Sequence, residues 1–149
     1  MNATKRATSV SAALRHVRDA EHLLVDGDHR SVDQAYHLAG FGPECARKAC
    51  LGIRWADKAL GHNSAEEDAR LVLEVLLAVD AHAHRYRIGG GQWGESPYPA
   101  LGRWGPESRY VATGTHEPAE ARALVAECRE IVDRITTALW ADGLLEEIS

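Results

Sequence analysis

The stretch AYHLAGFGPECARKACL, residues 35–51, sets small residues at helical spacing on both sides of a Gly-x-Gly-Pro interruption. Val32 to Phe41 reads as the first part of a helix, running into Gly40, Gly42 and Pro43. A proline inside a helix removes one backbone donor and clashes with the carbonyl four residues back, whereas in the first turn it is tolerated. The helix therefore kinks or briefly breaks and resumes at Pro43. From there it carries Ala46, Ala49, Cys50, Ile53, Ala56 and Leu60 on one face until Gly61 stops it. Ser31 and Gln34, three residues apart, form a capping box that starts the pair, so residues 31–61 read as one bent helix.

On the N-terminal side, Val10, Leu14, Val17, Ala20 and Leu24 step by three or four residues, which predicts a helix over 8–26 that Gly27 ends. On the C-terminal side, Ser64 and Glu67 make a second capping box. Ala69, Val72, Leu76, Val79, Ala83 and Tyr86 then mark a helix over 64–87, closed by the glycines at 89–91. Pro118 opens a last helix over 118–142, whose apolar stripe runs through Ala121, Leu124, Val125, Cys128, Ile131, Val132, Ile135 and Leu139. Between these two helices, residues 88–117 lose all periodicity and hold seven of the 13 glycines and three of the five prolines. This long loop also carries Trp93, Tyr98, Trp104 and Tyr110, and a short helix fits around Pro106 to Val111. The expected fold is all-α: one domain, 1–149, built as an up-and-down bundle of about four helices, the second kinked, with a Gly/aromatic loop before the last.

A chain of 149 residues can bury about two-thirds of its unfolded surface, so a conventional apolar core suffices. The 45% hydrophobic content with a single Phe points to helices packed through Ala, Leu and Val. A net charge of -5 speaks against nucleic-acid binding by bulk positive charge, and leaves room only for a local basic pocket. Three cysteines, Cys45, Cys50 and Cys128, in no C-x-x-C spacing, together with an N-terminus lacking an apolar signal core, fit a reducing cytoplasm and free thiols. No apolar run reaches the ~18 residues of a membrane span, so no membrane partner is expected.

Within residues 35–51, Gly40, Glu44, Lys48 and Ala49 resemble the second-helix signature of HEPN (higher eukaryotes and prokaryotes nucleotide-binding) domains. RHVRDAEHLL, residues 15–24, and WGPESRY, residues 104–110, also resemble bacterial stand-alone members, in the same order along the chain. The resemblance implies a helical domain that binds or cleaves RNA or a nucleotide, often as a homodimer. In toxin-antitoxin or defence systems it would have an antitoxin or another protein as partner. Catalytic members carry Arg, four to six residues, then His, and act as metal-independent RNases. Arg109 and His116 match that spacing here, although they precede the last helix, and Tyr110 stands where a polar residue is usual. No cofactor is implied.

The residues allow this chemistry and also plainer readings. A His can move a proton from the 2′-hydroxyl, and an Arg can stabilise the charge of the phosphorane. Equally, Arg109 can pair with a carboxylate while His116 organises the helix entrance; Arg30 and His37 share the same spacing. Trp93, Trp104 and Tyr110 can stack on a base with Arg103 holding phosphate, or the rings can roof the bundle or form a dimer seam. Glu44 and Lys48 are in the favourable order for a helical ion pair. A metal site is not expected. In Asp80, His82 and His84 the two imidazoles point some 200° apart on a helix, and Glu21, His22 and His29 form no known ligand spacing. The glycines at 89–91 follow a helix and precede no Lys-Ser/Thr, so they make no phosphate loop. Three classes of function stay open: an HEPN-like RNase, a non-catalytic HEPN-like module for a nucleotide, small molecule or protein, and a small-molecule-binding helical protein.

Overall fold

A computed structural model describes residues 3–25, 29–50 and 98–145. The fold is all-α, with no strand among the described residues. Three stretches of helix form the core: α1 (Ala3–Val25), the pair α2 (His29–Ala39) and α3 (Phe41–Cys50), and the long α5 (Pro118–Ala141). A four-residue helix, α4 (Pro99–Gly102), and a 3-10 turn (Pro106–Tyr110) lie in the segment leading to α5. The expected helix over 64–87, with its capping box, lies outside the described residues, as do Gly27 and the second helix beyond Cys50.

The bend falls where the glycines and the proline put it. α2 and α3 are separated at Gly40, and the run from Ser31 to residue 50 bends by only 15°. The angle is small because Pro43 sits in the first turn of α3, where its missing N–H has no intrahelical partner to lose. One expectation fails: α2 starts at His29, so Ser31 already lies inside its first turn and does not cap it. Likewise α1 starts at Ala3 rather than near residue 8, because Arg6 extends the buried stripe Val10, Ala13, Val17, Ala20 by one step. Its Nε donates to the carbonyl of Ala49 at 2.9 Å, tying α1 to α3.

α3 lies at the centre, between α1 and α5. Gly42, Ala46 and Ala49 are buried there, and the small side chains let the helix axes come close. A Cβ on Gly42 would stand 2.5 Å from Val17 Cγ2 and 3.3 Å from Val132 Cγ2, so the three helices meet at this point. The Glu44–Lys48 pair forms at 2.9 Å along α3. α5 buries all eight residues of its stripe. It ends in a Schellman turn: Gly143 takes φ +72°, and the N–H of Leu144 reaches back to the carbonyl of Leu139 at 3.0 Å. Arg129 clamps α5 to α1 through two bonds to Glu21, at 2.7 and 2.6 Å.

Candidate functional site

The segment before α5 is pinned at its start to α5 and at its end to α2. At its start, the carboxylate of Glu127 accepts from the N–H groups of Ala100 and Leu101, at 3.1 and 2.8 Å, and so fixes the N-terminus of α4. Tyr98 donates to Glu130 and accepts from Arg134. Trp104 then folds inward. Its indole lies against Gly40, leaving no room for a Cβ, packs edge-on to Phe41 with ring centres 5.0 Å apart, and donates to the carbonyl of His37 at 3.2 Å. Of the two readings open for Trp104, a stacking surface for a ligand or a roof over the bundle, the structure has the second: it is a buried packing residue. Gly40 is the residue that admits it. Trp93 lies outside the described residues.

Beyond Trp104 the chain turns outward and crosses α2. Arg103, Arg109 and Tyr110 are exposed, Tyr110 to 77%. The Arg109 guanidinium stands 4.7 Å over the Tyr110 ring, a cation–π contact. Its charge also reaches His37: burial holds that imidazole below its ordinary range, and Arg109 and then His16 push it further down. His37 Nδ1 is buried without a hydrogen-bond partner.

The turn at 112–116 brings His116 onto the next position of the same helix. Gly114 adopts φ +87°, a conformation other residues reach only at a cost, and Thr115 bonds back to Ala112. Asp33 on α2 accepts from the N–H of Gly114 at 2.6 Å and from the N–H of His116 at 2.9 Å. The His116 ring stacks on Tyr36 with centroids 3.6 Å apart and planes 11° from parallel. Its Nδ1 lies 3.5 Å from Glu120 Oε2, and its Nε2 is buried without a hydrogen-bond partner among the described residues. Burial pushes the Tyr36 phenol up, with the charge of Glu120 adding to the effect and Arg103 opposing it.

His116 therefore reaches α2 at Tyr36, and the charge of Arg109 is felt at the neighbouring His37. The residue pattern missed the helix side of this arrangement: Asp33, Tyr36 and His37. Glu120 carried a visible signal, four residues after His116, whereas Asp33 lies 81 residues from Gly114 and nothing local marks it.

Other groups offer less chemistry. Burial pushes the thiols of Cys50, up to about 12, and Cys128 upward, so neither is a ready nucleophile. Arg47, buried among them, is brought down to about 9 by burial and stays cationic at neutral pH. No cluster of three metal-ligating side chains occurs among the described residues, and none of their helices is long and apolar enough to cross a membrane. The chain matches no protein-family model, no curated protein and no solved structure.

Proposed function

We propose that this chain is an HEPN-like helical protein that binds RNA through residues 103–116 and the adjoining face of α2. The observation that carries this reading is the exposed set Arg103, Arg109 and Tyr110 on one short segment. Two guanidiniums can hold phosphates, and an aromatic face can take a base, without sequence readout. With only two arginines engaged on an acidic protein, binding is modest and weakly salt-dependent. For single-stranded RNA, log K should fall against log salt with a slope of roughly -1.4, two phosphates at about -0.7 each. Titration of a short single-stranded RNA against the wild type and Arg109→Ala tests this. Equal affinity for both proteins rejects the surface.

A second reading, metal-independent cleavage, is favoured by the carboxylate that stands beside one nitrogen of His116. Glu120 faces Nδ1 of His116, so a neutral ring carrying its proton there would leave Nε2 to take the 2′-hydroxyl proton. The 2′-oxygen then bonds to phosphorus, the bond to the 5′-oxygen breaks, and that oxygen takes up a proton. The products are a 2′,3′-cyclic phosphate and a 5′-hydroxyl. Arg109 would balance the added negative charge of the phosphorane. Nε2 is buried in the RNA-free protein, so RNA must reach it by displacing whatever covers it while the Asp33 contacts stay in place. Incubation with total RNA and a chelator, with Arg109→Ala and His116→Ala as controls, separates the readings. Cleavage that both variants abolish supports the enzyme, and binding without cleavage supports the non-catalytic module. In either reading the HEPN likeness carries a homodimer as working unit, to be checked by light scattering.

A further inference from the structure

We propose that Asp33 is a positioning residue for His116, holding the imidazole in its one working pose from a helix far away in sequence. The inference rests on the RNA-cleavage reading for its functional part, and on geometry alone for its structural part. The carboxylate of Asp33 accepts two amide protons that flank a single residue, those of Gly114 and His116, at 2.6 and 2.9 Å. Charge-assisted bonds of this length are the strong kind, and two of them from one rigid helix fix both position and orientation of the backbone between. The segment they hold has little else to hold it: residues 111–115 are all exposed, and Gly114 lies in the left-handed region with open space around it. No apolar packing would keep the turn in place if the carboxylate let go.

The consequence for the ring is specific. Tyr36 lies one helical turn after Asp33 on α2, so the group that anchors the His116 backbone and the group that stacks on its ring share one face of one helix. Anchoring at Asp33 sets the 3.6 Å stack, and the stack turns Nδ1 toward Glu120 and leaves Nε2 unpartnered. A side chain so held at its backbone and its ring face is oriented before any substrate arrives, which is the condition for proton transfer at Nε2. Asp33 touches no substrate in this scheme; it acts through His116.

The decisive substitution is Asp33→Asn. It is isosteric and leaves one oxygen to accept, but sets an NH2 donor against the second amide. In RNA-free protein the His116 ring protons should show the upfield ring-current shift of a residue stacked on Tyr36, identified by its loss in Tyr36→Leu. Asp33→Asn should lose most of that shift while far-UV circular dichroism stays unchanged. With RNA, the same variant should lower kcat by about tenfold or more with KM little changed, because a misplaced reacting group costs rate rather than affinity. Asp33→Ala, which removes both bonds, should be at least as impaired. An unchanged ring-current shift in Asp33→Asn overturns the proposal, and so does a lost shift with wild-type turnover. Should the wild type cleave no RNA, the functional reading falls, and the ring-current experiment alone decides whether Asp33 positions His116.

Discussion

Two regions of the molecule are assembled by different physics. Where α1, α3 and α5 meet, Val17, Gly42, Ala46, Val132 and Leu124 are almost fully buried, and contact follows from small side chains at regular spacing. Where the 103–117 segment crosses α2, most residues are exposed, and placement depends on a few polar bonds such as those of Asp33. The first region resists change through many weak contacts, none decisive. The second concentrates its geometry in single groups, each worth about 1 kcal/mol of stability and far more in local position. A site can therefore be dismantled here without unfolding the protein.

The comparison breaks most visibly in the core. Leu124→Ala, at a fully buried position on α5, should lower stability by about 2–5 kcal/mol, read as a shifted urea midpoint at unchanged slope. A loss below about 1 kcal/mol would mean that the seam is loosely packed. Gly40→Ala, at the border of the two regions, forces a Cβ into the Trp104 ring and should cost about 1–3 kcal/mol. Its tryptophan emission should shift to the red as the indole moves into water, and a spectrum like the wild type's would contradict the close packing.

The remaining two outcomes are smaller. Hydrogen bonding from Arg129 holds the Glu21 carboxyl below its ordinary 4.5, so its stabilising effect is complete above that pH and lost as pH falls through the lower folded value. Glu21→Gln should thus be less stable at neutral pH, by under about 1 kcal/mol because both partners are partly exposed, and the two proteins should converge in strong acid. Acid titration of both by circular dichroism reads this. Smallest is Arg109→Ala, which removes one of the positive charges that depress His37. Its pKa should rise yet stay below the ordinary 6.5, because burial is the larger cause. With the folded value depressed, the His37 contribution is complete above 6.5 and lost as pH falls below it, and the variant should lose less. A proton NMR titration of His37 measures the shift, and no change would place Arg109 away from α2.

The apolar stripe of α5 was legible in full because a helical surface repeats every 3.6 residues and a long window averages out accidents. Ala46, Ala49 and Cys50 on α3 were legible for the same reason. The capping box at Ser31 misled, since such a signal reports a local preference, and the chain from His29 was already helical. In the loop the rings divided in a way their composition does not reveal: Tyr98 and Trp104 went inside and Tyr110 stayed outside. The spacing of Arg109 and His116 drew attention to a segment that packs on α2. The helix that His116 reaches was not marked, because Asp33 and Tyr36 look like any polar and aromatic residue on an amphipathic face.

The sequence by itself determined an all-α chain, a bend at Gly40 to Pro43, the buried face of each described long helix and an irregular segment before the last, because these follow from backbone sterics and from burial at a fixed period. Only the tertiary structure decided which ring closes over Gly40, which histidine feels the charge of Arg109, and what holds His116. Those pairings join residues 64 to 83 positions apart, and a pairing over such a distance has no local energy by which the sequence could announce it.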